Sequence, residues 1–294
     1  MTDTKPVALF CDTKMLPGLH VTLASLLQAL EPGRESELEV HLFLDKVGAR
    51  DRLLLQQTFE QGARGACLVL HEFSPPAPDG GNTLHGNTTT YGRLHLHTLL
   101  AGHDRCVYLD SDLVVNRSVL DLFAAFDGTA VLLADGTGRR DDSVDTELFR
   151  AAGIDVTGPY FNAGILGIDL ALWRRRGISQ ACEETARKYA GMFRSADQAL
   201  LNTVLHDGFK PVGTDWNFPL YPSTPELPRL EARIYHFVGS PKPWDPFGRS
   251  VVRNHPLWMA AYRKTAIGGR SYLRYASLGR SVRIFKIVVK GLIG

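Results

Sequence analysis

The chain has 294 residues, 44% hydrophobic, and its 33 Lys and Arg nearly cancel 31 Asp and Glu for a formal net charge of +2. That length and apolar content suit one large or two modest domains with a core that needs no disulfides, and the near-neutral total argues against a nucleic-acid binder. Cys11, Cys67, Cys106 and Cys182 form no CxxC pair, which speaks against a cysteine metal knuckle and fits a reducing compartment.

MTDTKPVALF lacks a basic segment followed by a long apolar stretch, so no signal peptide is expected. No run approaches the roughly 20 apolar residues of a membrane span. PVALFCD (6–12) reads as a buried strand ending in an acid. HVTLASLLQAL (20–30) has helical spacing and is stopped by Pro32-Gly33. LEVHLFLD (38–45), DRLLLQQTFEQG (51–62) and ACLVLHEF (66–73) follow as strand, helix and strand. SPPAPDGGN (74–82) is a loop. TTTYGRLHLHTLLAG (88–102) reads as a helix and RCVYLDSD (105–112) as a strand. Residues 128–159 are rich in Gly, Asp and Arg, with a short helix expected over 144–152; AGILGIDLAL is a strand running into a helix, and ALLNTVLHD a further helix. A Pro-rich zone (219–228) precedes the strand ARIYHFVG. This alternation implies an α/β fold, with a mostly parallel sheet and helices on both faces.

Within VYLDSDLVV (107–115), Asp110 and Asp112 would share a face if the strand persists through them. The end of a strand is where open α/β sheets gather ligands. Two converging carboxylates repel unless a cation lies between them, and a hard divalent ion that keeps sites for phosphates is the natural partner. The plainer reading is a turn with solvated acids. In YFNAGILGI, small Ala163 and Gly164 beside Asn162 permit close approach of a ligand. SADQALLN puts Asp197 and Gln198 at a helix start, which also fits an ordinary N-cap. YHFVGSPKPW holds His236, Gly239 and Lys242 in one short loop, or else a rigid Pro-containing turn.

Taken in order, the acid Asp12, TTYGRL, YLDSDLVV, YFNAGILGI, ADQALLN and HFVGSPKPW resemble glycosyltransferase family eight, the retaining transferases of the GT-A fold. The resemblance runs from about Val7 to Trp244 and is strongest to bacterial lipopolysaccharide galactosyl- and glucosyltransferases. It implies a Rossmann-like mixed central sheet flanked by helices. It also implies that Asp110, Asp112 and His236 hold Mn²⁺, with Mg²⁺ the alternative; one imidazole with two carboxylates suits the softer ion. The donor implied is a UDP-hexose. Asp12 falls at the uracil position, where a carboxylate can accept its N–H. Lys14 stands where the family has asparagine. Ser111 and Ala163 lie along the donor, and Lys242 and the Gly239 backbone grip the diphosphate. Arg93, Asn162, Asp197 and Gln198 match positions that line the reacting face. His85 falls at an acceptor-side histidine. Front-face attack is favoured over a covalent intermediate on Asp197. Residues 136–159 read as a cover over the donor or as a solvated loop.

After Asp245 there are ten Lys and Arg and no acid. RSVRIFKIVVKGLI (280–293) fits a helix with Arg280, Arg283, Lys286 and Lys290 on one face and Ile284, Phe285, Val288 and Leu292 on the other, with Tyr272, Leu273 and Tyr275 just before it. Such a helix is expected at an anionic membrane interface, although docking on the catalytic domain is the plainer alternative. The expected organisation is a catalytic domain over 1–247 and a basic tail over 248–294. The expected location is peripheral, on the cytoplasmic face of the inner membrane, near a glycan or glycolipid acceptor. Two other readings are a nucleotidyltransferase, disfavoured because CDTKMLPGL has no Gly-rich activating loop, and a sugar-nucleotide-binding module without catalysis, disfavoured by the intact DSD, His236 and Lys242.

Overall fold

The computed structural model describes residues 4–81, 88–276 and 278–293; the expectation for His85 lies outside them. The chain opens with β1 (Lys5–Asp12), α1 (Leu16–Gln28), β2 (Leu38–Asp45), α2 (Ala49–Glu60) and β3 (Cys67–Glu72). A 3₁₀ turn (Thr89–His95) leads into α3 (Leu96–Leu99), β4 (Arg105–Leu109), β5 (Leu113–Val115) and β6 (Leu132–Ala134). Next come β7 (Gly138–Arg139), α4 (Thr146–Ala151), β8 (Pro159–Tyr160), β9 (Ile165–Asp169), α5 (Leu170–Arg175), α6 (Ile178–Lys188) and α7 (Asp197–Val204). The chain finishes with β10 (Phe209–Pro211), β11 (Phe218–Leu220), β12 (Ile234–Phe237), α8 (Gly248–Val251), α9 (His255–Tyr262) and α10 (Leu278–Ile293).

Seven strands form the central sheet in the order β10-β6-β9-β4-β1-β2-β3. The sheet is more mixed than strand–helix alternation alone suggests, because β9 runs antiparallel to both β4 and β6. One face packs Phe10, Phe43, Tyr108 and Leu166 against Trp173, Phe193 and Leu200. The other packs Leu9, Leu42, Val107 and Leu109 against Leu19, Leu23 and Leu55 of the first two helices. Burial of both faces explains why these strands read as continuous apolar runs.

Two local expectations are corrected. The segment 88–102 is a 3₁₀ turn followed by a single α turn. The β-branched run Thr88–Thr90 disfavours a regular helix, and Gly92 sits so close to Phe10 that an added Cβ would lie 2.2 Å from its ring. Strand β4 also stops at Leu109, so Asp110 and Asp112 stand in the turn between β4 and β5. Strand alternation is not what makes them converge.

A second, three-stranded sheet, β11-β12-β5, accomplishes that. Strand β12 pairs antiparallel with β5 so that His236 is opposite Leu113, and the Phe237 N–H donates to the Asp112 carbonyl at 3.0 Å. Beyond it, Trp244, Trp258 and Tyr262 pack with Val21 of α1 and Val114 of β5. The residues after 247 therefore share a core with the N-terminal helix.

Candidate functional site

At the carboxyl ends of β1 and β4 lies a cleft of about 790 Å³. Its lining includes Asp12, Lys14, Arg93, Asp110, Ser111, Asp112, Asn162, Ala163, Asp197, Gln198, His236, Gly239 and Lys242. Residues from six separated motifs thus meet in one cavity.

The DSD turn is held from three sides. The Ser111 hydroxyl donates to the Phe10 carbonyl at 2.9 Å, and the Asp110 N–H donates to the Gly164 carbonyl at 2.8 Å. Asp110 Oδ1 takes the Tyr108 hydroxyl and the Arg93 guanidinium, the latter at 3.0 Å. Asp112 Oδ2 takes Lys242 Nζ at 2.6 Å. Burial by itself would raise Asp112, but the Lys242 ammonium opposes it and draws the carboxyl below its ordinary range.

The remaining oxygens face the imidazole. His236 Nε2 lies 3.2 Å from Asp112 Oδ1 and 3.8 Å from Asp110 Oδ2. Its Nδ1 is 2.9 Å from Asn217 Oδ1, while Asn217 Nδ2 donates to Asn162 Oδ1 at 3.0 Å. The second bond fixes the Asn217 amide with its oxygen toward the ring. His236 therefore carries its proton on Nδ1 and turns the Nε2 lone pair toward the two acids. Asp112 Oδ1 has no hydrogen-bond donor among the described residues, although it is buried. Three acceptor atoms within 4.8 Å of one another, with no proton between them, suit a divalent cation. Gly164 makes room for the ring: a Cβ there would lie 2.3 Å from His236 Cε1.

Arg93 is buried, stacks 4.1 Å from the centre of the Tyr108 ring, and reaches the Ala163 carbonyl. Its Nε lies 3.0 Å from Asp197 Oδ2 but directs its hydrogen to the Thr90 carbonyl. The Asp197 contact is thus one of charge, and that oxygen has no aligned donor among the described residues. Burial raises Asp197 to about 6, partly offset by Arg93. The preceding Ala196 has a φ of +51°, a strained backbone for a residue with a Cβ. Gln198 braces the FNAG segment: its oxygen accepts from the Ala163 N–H at 3.0 Å and its amide donates to Tyr160 at 2.6 Å.

Asp12 Oδ1 accepts the N–H groups of Lys14 and Met15 at 3.0 and 3.2 Å, closing the turn into α1. Gly239 adopts a φ of +82°, which spares the turn after β12 the strain a side chain would bring. The Lys242 N–H donates to Asp245 at 2.7 Å, and Nζ also reaches the Phe237 carbonyl.

Arg280 and Arg283 of α10 also line the cleft. Arg280 pairs with both oxygens of buried Asp245. The expected two-faced pattern of the tail helix is modified: Ile284 is buried, whereas Val282, Phe285 and Ile287 are exposed. One side of α10 docks, and single apolar side chains remain exposed on the rest of its surface. Among the described residues no helix is long and apolar enough to cross a membrane.

Sequence reasoning missed Asn217, Tyr108 and Arg280. Asn217 sits between Trp216 and Phe218 with no pattern that marks it. Arg280 was assigned to a membrane-facing side.

A mixed α/β sheet with an acid-x-acid turn, a histidine and a lysine around the cleft at its strand ends defines the GT-A class of sugar-nucleotide transferases. Solved structures agree on the fold: galactosyltransferase LgtC in complex with donor and acceptor sugar analogs superposes with a TM-score of 0.72 at 21% identity, over 88% of this chain and 96% of that one. The chain belongs to glycosyl transferase family 8, whose model matches residues 6–247. It is 25% identical over 272 residues to the lipopolysaccharide 1,3-galactosyltransferase of Salmonella typhimurium, covering 87% of this chain and 77% of that protein. It is also 25% identical over 187 residues to glycosyltransferase GlyF of Streptococcus pneumoniae serotype 4, covering 59% of this chain but only 42% of that protein.

Proposed function

We propose that the chain transfers a hexose, galactose or glucose, from a UDP-sugar to a hydroxyl of a glycan acceptor such as lipopolysaccharide core, with retention of anomeric configuration. The observation that carries this reading is the convergence of Asp110, Asp112 and His236, with Asp112 Oδ1 buried and unpartnered, at the floor of the cleft. These three residues would hold Mn²⁺, or Mg²⁺ in its place. When bound, such an ion supplies Lewis-acid neutralisation of the diphosphate.

The chain's own residues do the rest. Lys242 offsets charge on the departing UDP, so no acid need protonate it. Asp12 accepts from the uracil edge, and Lys14 stands near ribose or phosphate. Ser111 and the Gly239 backbone shape the diphosphate end. Arg93, Asn162, Ala163, Asp197 and Gln198 line the reacting face. Asp197 is a poor candidate nucleophile, because it is buried beside Arg93 and binds its proton more tightly than an ordinary carboxyl. Gln198 is neutral. Front-face attack, with a donor phosphate oxygen taking the acceptor proton, therefore fits better than a covalent intermediate.

The segment 248–294 would rest on an anionic membrane through Val282, Phe285 and Ile287, with exposed Lys286 beside them. On this reading the enzyme works on the cytoplasmic face of the inner membrane, next to a lipid-linked acceptor.

The test is incubation with Mn²⁺, a panel of UDP-sugars and a lipopolysaccharide-core acceptor, following UDP release and the anomeric signal of the product. Metal-dependent transfer with retention is expected, abolished by Asp112→Asn. Nucleoside triphosphate consumption with pyrophosphate release would overturn the reading, as would donor binding without turnover on any acceptor.

A further inference from the structure

A second group of metal-ligating side chains lies away from the cleft, toward the opposite end of the sheet. Glu39 and His41 are two residues apart on β2 and share a face. His103 follows α3 in the loop before β4. One ligand atom from each of these three residues falls within 4.8 Å of the others. His41 Nε2 is 3.3 Å from Glu39 Oε1, and His103 Nε2 is 3.8 Å from Glu39 Oε2. Bonds of about 2.0–2.2 Å to a tetrahedral ion imply ligand separations of about 3.4 Å, so small side-chain movements would complete such a set.

The hydrogen bonding around His41 makes the group more than a chance cluster. His41 is 5% exposed, and its Nε2 has no hydrogen-bond partner among the described residues. On the other side of the ring, Nδ1 is 3.0 Å from His71 Nε2 on β3. One proton is shared across that contact. If His41 donates it, its Nε2 lone pair points at the Glu39 carboxylate, two electron-rich groups face to face. If His71 donates it, His41 carries a proton on Nε2 that misses alignment with Glu39. A cation at Nε2 resolves the first arrangement, and His71 then acts as the outer acceptor that fixes the ligand tautomer. Thr4 already donates to Glu39 Oε2 at 2.9 Å, which steadies the carboxylate.

We propose that Glu39, His41 and His103 bind one borderline transition-metal ion of the Zn²⁺ class, with His71 as a positioning residue. Two imidazoles and one carboxylate are a softer donor set than the one imidazole and two carboxylates of the cleft, so the two sites would prefer different metals. The bound ion would tie the loop before β4 to β2, behind the strand that delivers the DSD turn.

The experiment uses the full chain carrying Asp110→Asn and Asp112→Asn, which silences the cleft. After chelator treatment it is titrated with Zn²⁺ by calorimetry and with Co²⁺ by visible absorption. One equivalent is expected, with a cobalt spectrum of a nitrogen-containing low-coordinate site. Adding His103→Ala or Glu39→Gln should weaken Zn²⁺ at least 10-fold, and His71→Ala should weaken it less. His103 is partly exposed in a loop, so its variant should keep the circular dichroism of the parent. A Zn²⁺ isotherm unchanged by His103→Ala and Glu39→Gln overturns the proposal, as does the absence of any bound equivalent. Mn²⁺-dependent sugar transfer by the single His103→Ala variant reports on the cleft separately, and should be retained.

Discussion

Asn217→Ala is the most informative single change in the cleft. Asn217 is 3% exposed; its side chain accepts from His236 Nδ1 at 2.9 Å and donates to Asn162, to Oδ1 at 3.0 Å and to the carbonyl at 3.4 Å. The alanine leaves the His236 proton without an acceptor and frees the ring to turn or change tautomer, while Asp110, Asp112 and His236 all stay in place. Loss of such an outer partner weakens metal binding about 10- to 100-fold, which corresponds to about 1.4–2.7 kcal/mol. Asn217→Asp separates this effect from mere loss of packing. The aspartate still accepts from His236 but cannot donate to Asn162, so it should recover much of the affinity lost in the alanine variant. Mn²⁺ binding followed by electron paramagnetic resonance, with circular dichroism to check the fold, measures both. Wild-type Mn²⁺ affinity in folded Asn217→Ala would refute the tautomer argument, and equal losses in the two variants would reduce Asn217 to a packing residue.

Three further outcomes are expected. Gly164→Ala puts a Cβ 2.3 Å from His236 Cε1 and 2.7 Å from Nδ1, so it should displace the imidazole, cost about 1–3 kcal/mol in stability and lower Mn²⁺ affinity in the same titration. Asp197 rises from an ordinary 3.8 to about 6 in the folded chain, so the stability it contributes is present below about pH 4 and lost as the pH climbs through 6; urea titrations from pH 4 to 7.5 should show wild type losing up to roughly 3 kcal/mol relative to Asp197→Asn, and parallel curves would contradict this. Arg280→Ala removes one partner of the buried pair with Asp245, a change of about 3–5 kcal/mol if the helix stayed docked; release of α10 is the cheaper response, seen as rapid proteolysis after Ala276 with the catalytic core intact.

Much of the first half of the fold could be read directly. Runs such as ALFC and LFL are apolar throughout because both sheet faces are covered, and Pro32-Gly33 punctuates them. The candidate ligands were visible because Asp110, Asp112 and His236 are costly residues in apolar surroundings. The means of their meeting was not visible. Strands β5, β11 and β12 have three or four residues each, too short for a period-2 pattern to stand out. Arg280 was misplaced for a related reason: helical spacing sorts a basic face from an apolar one but carries no information about a lone acid, Asp245, waiting on the core.

The pairing of β5 with β12 acts as a gauge between two distant parts of the chain. Because His236 is opposite Leu113, its distance from the acids is set by a peptide ladder and not by a mobile connection. Slipping β12 by one residue would aim Tyr235 or Phe237 into the cleft and send the imidazole to the far side. Length changes should therefore be absorbed between β11 and β12, in residues 221–228, outside those pairings, whereas a single insertion between Ile234 and Phe237 would erase the cation cradle without substituting any of its three ligands.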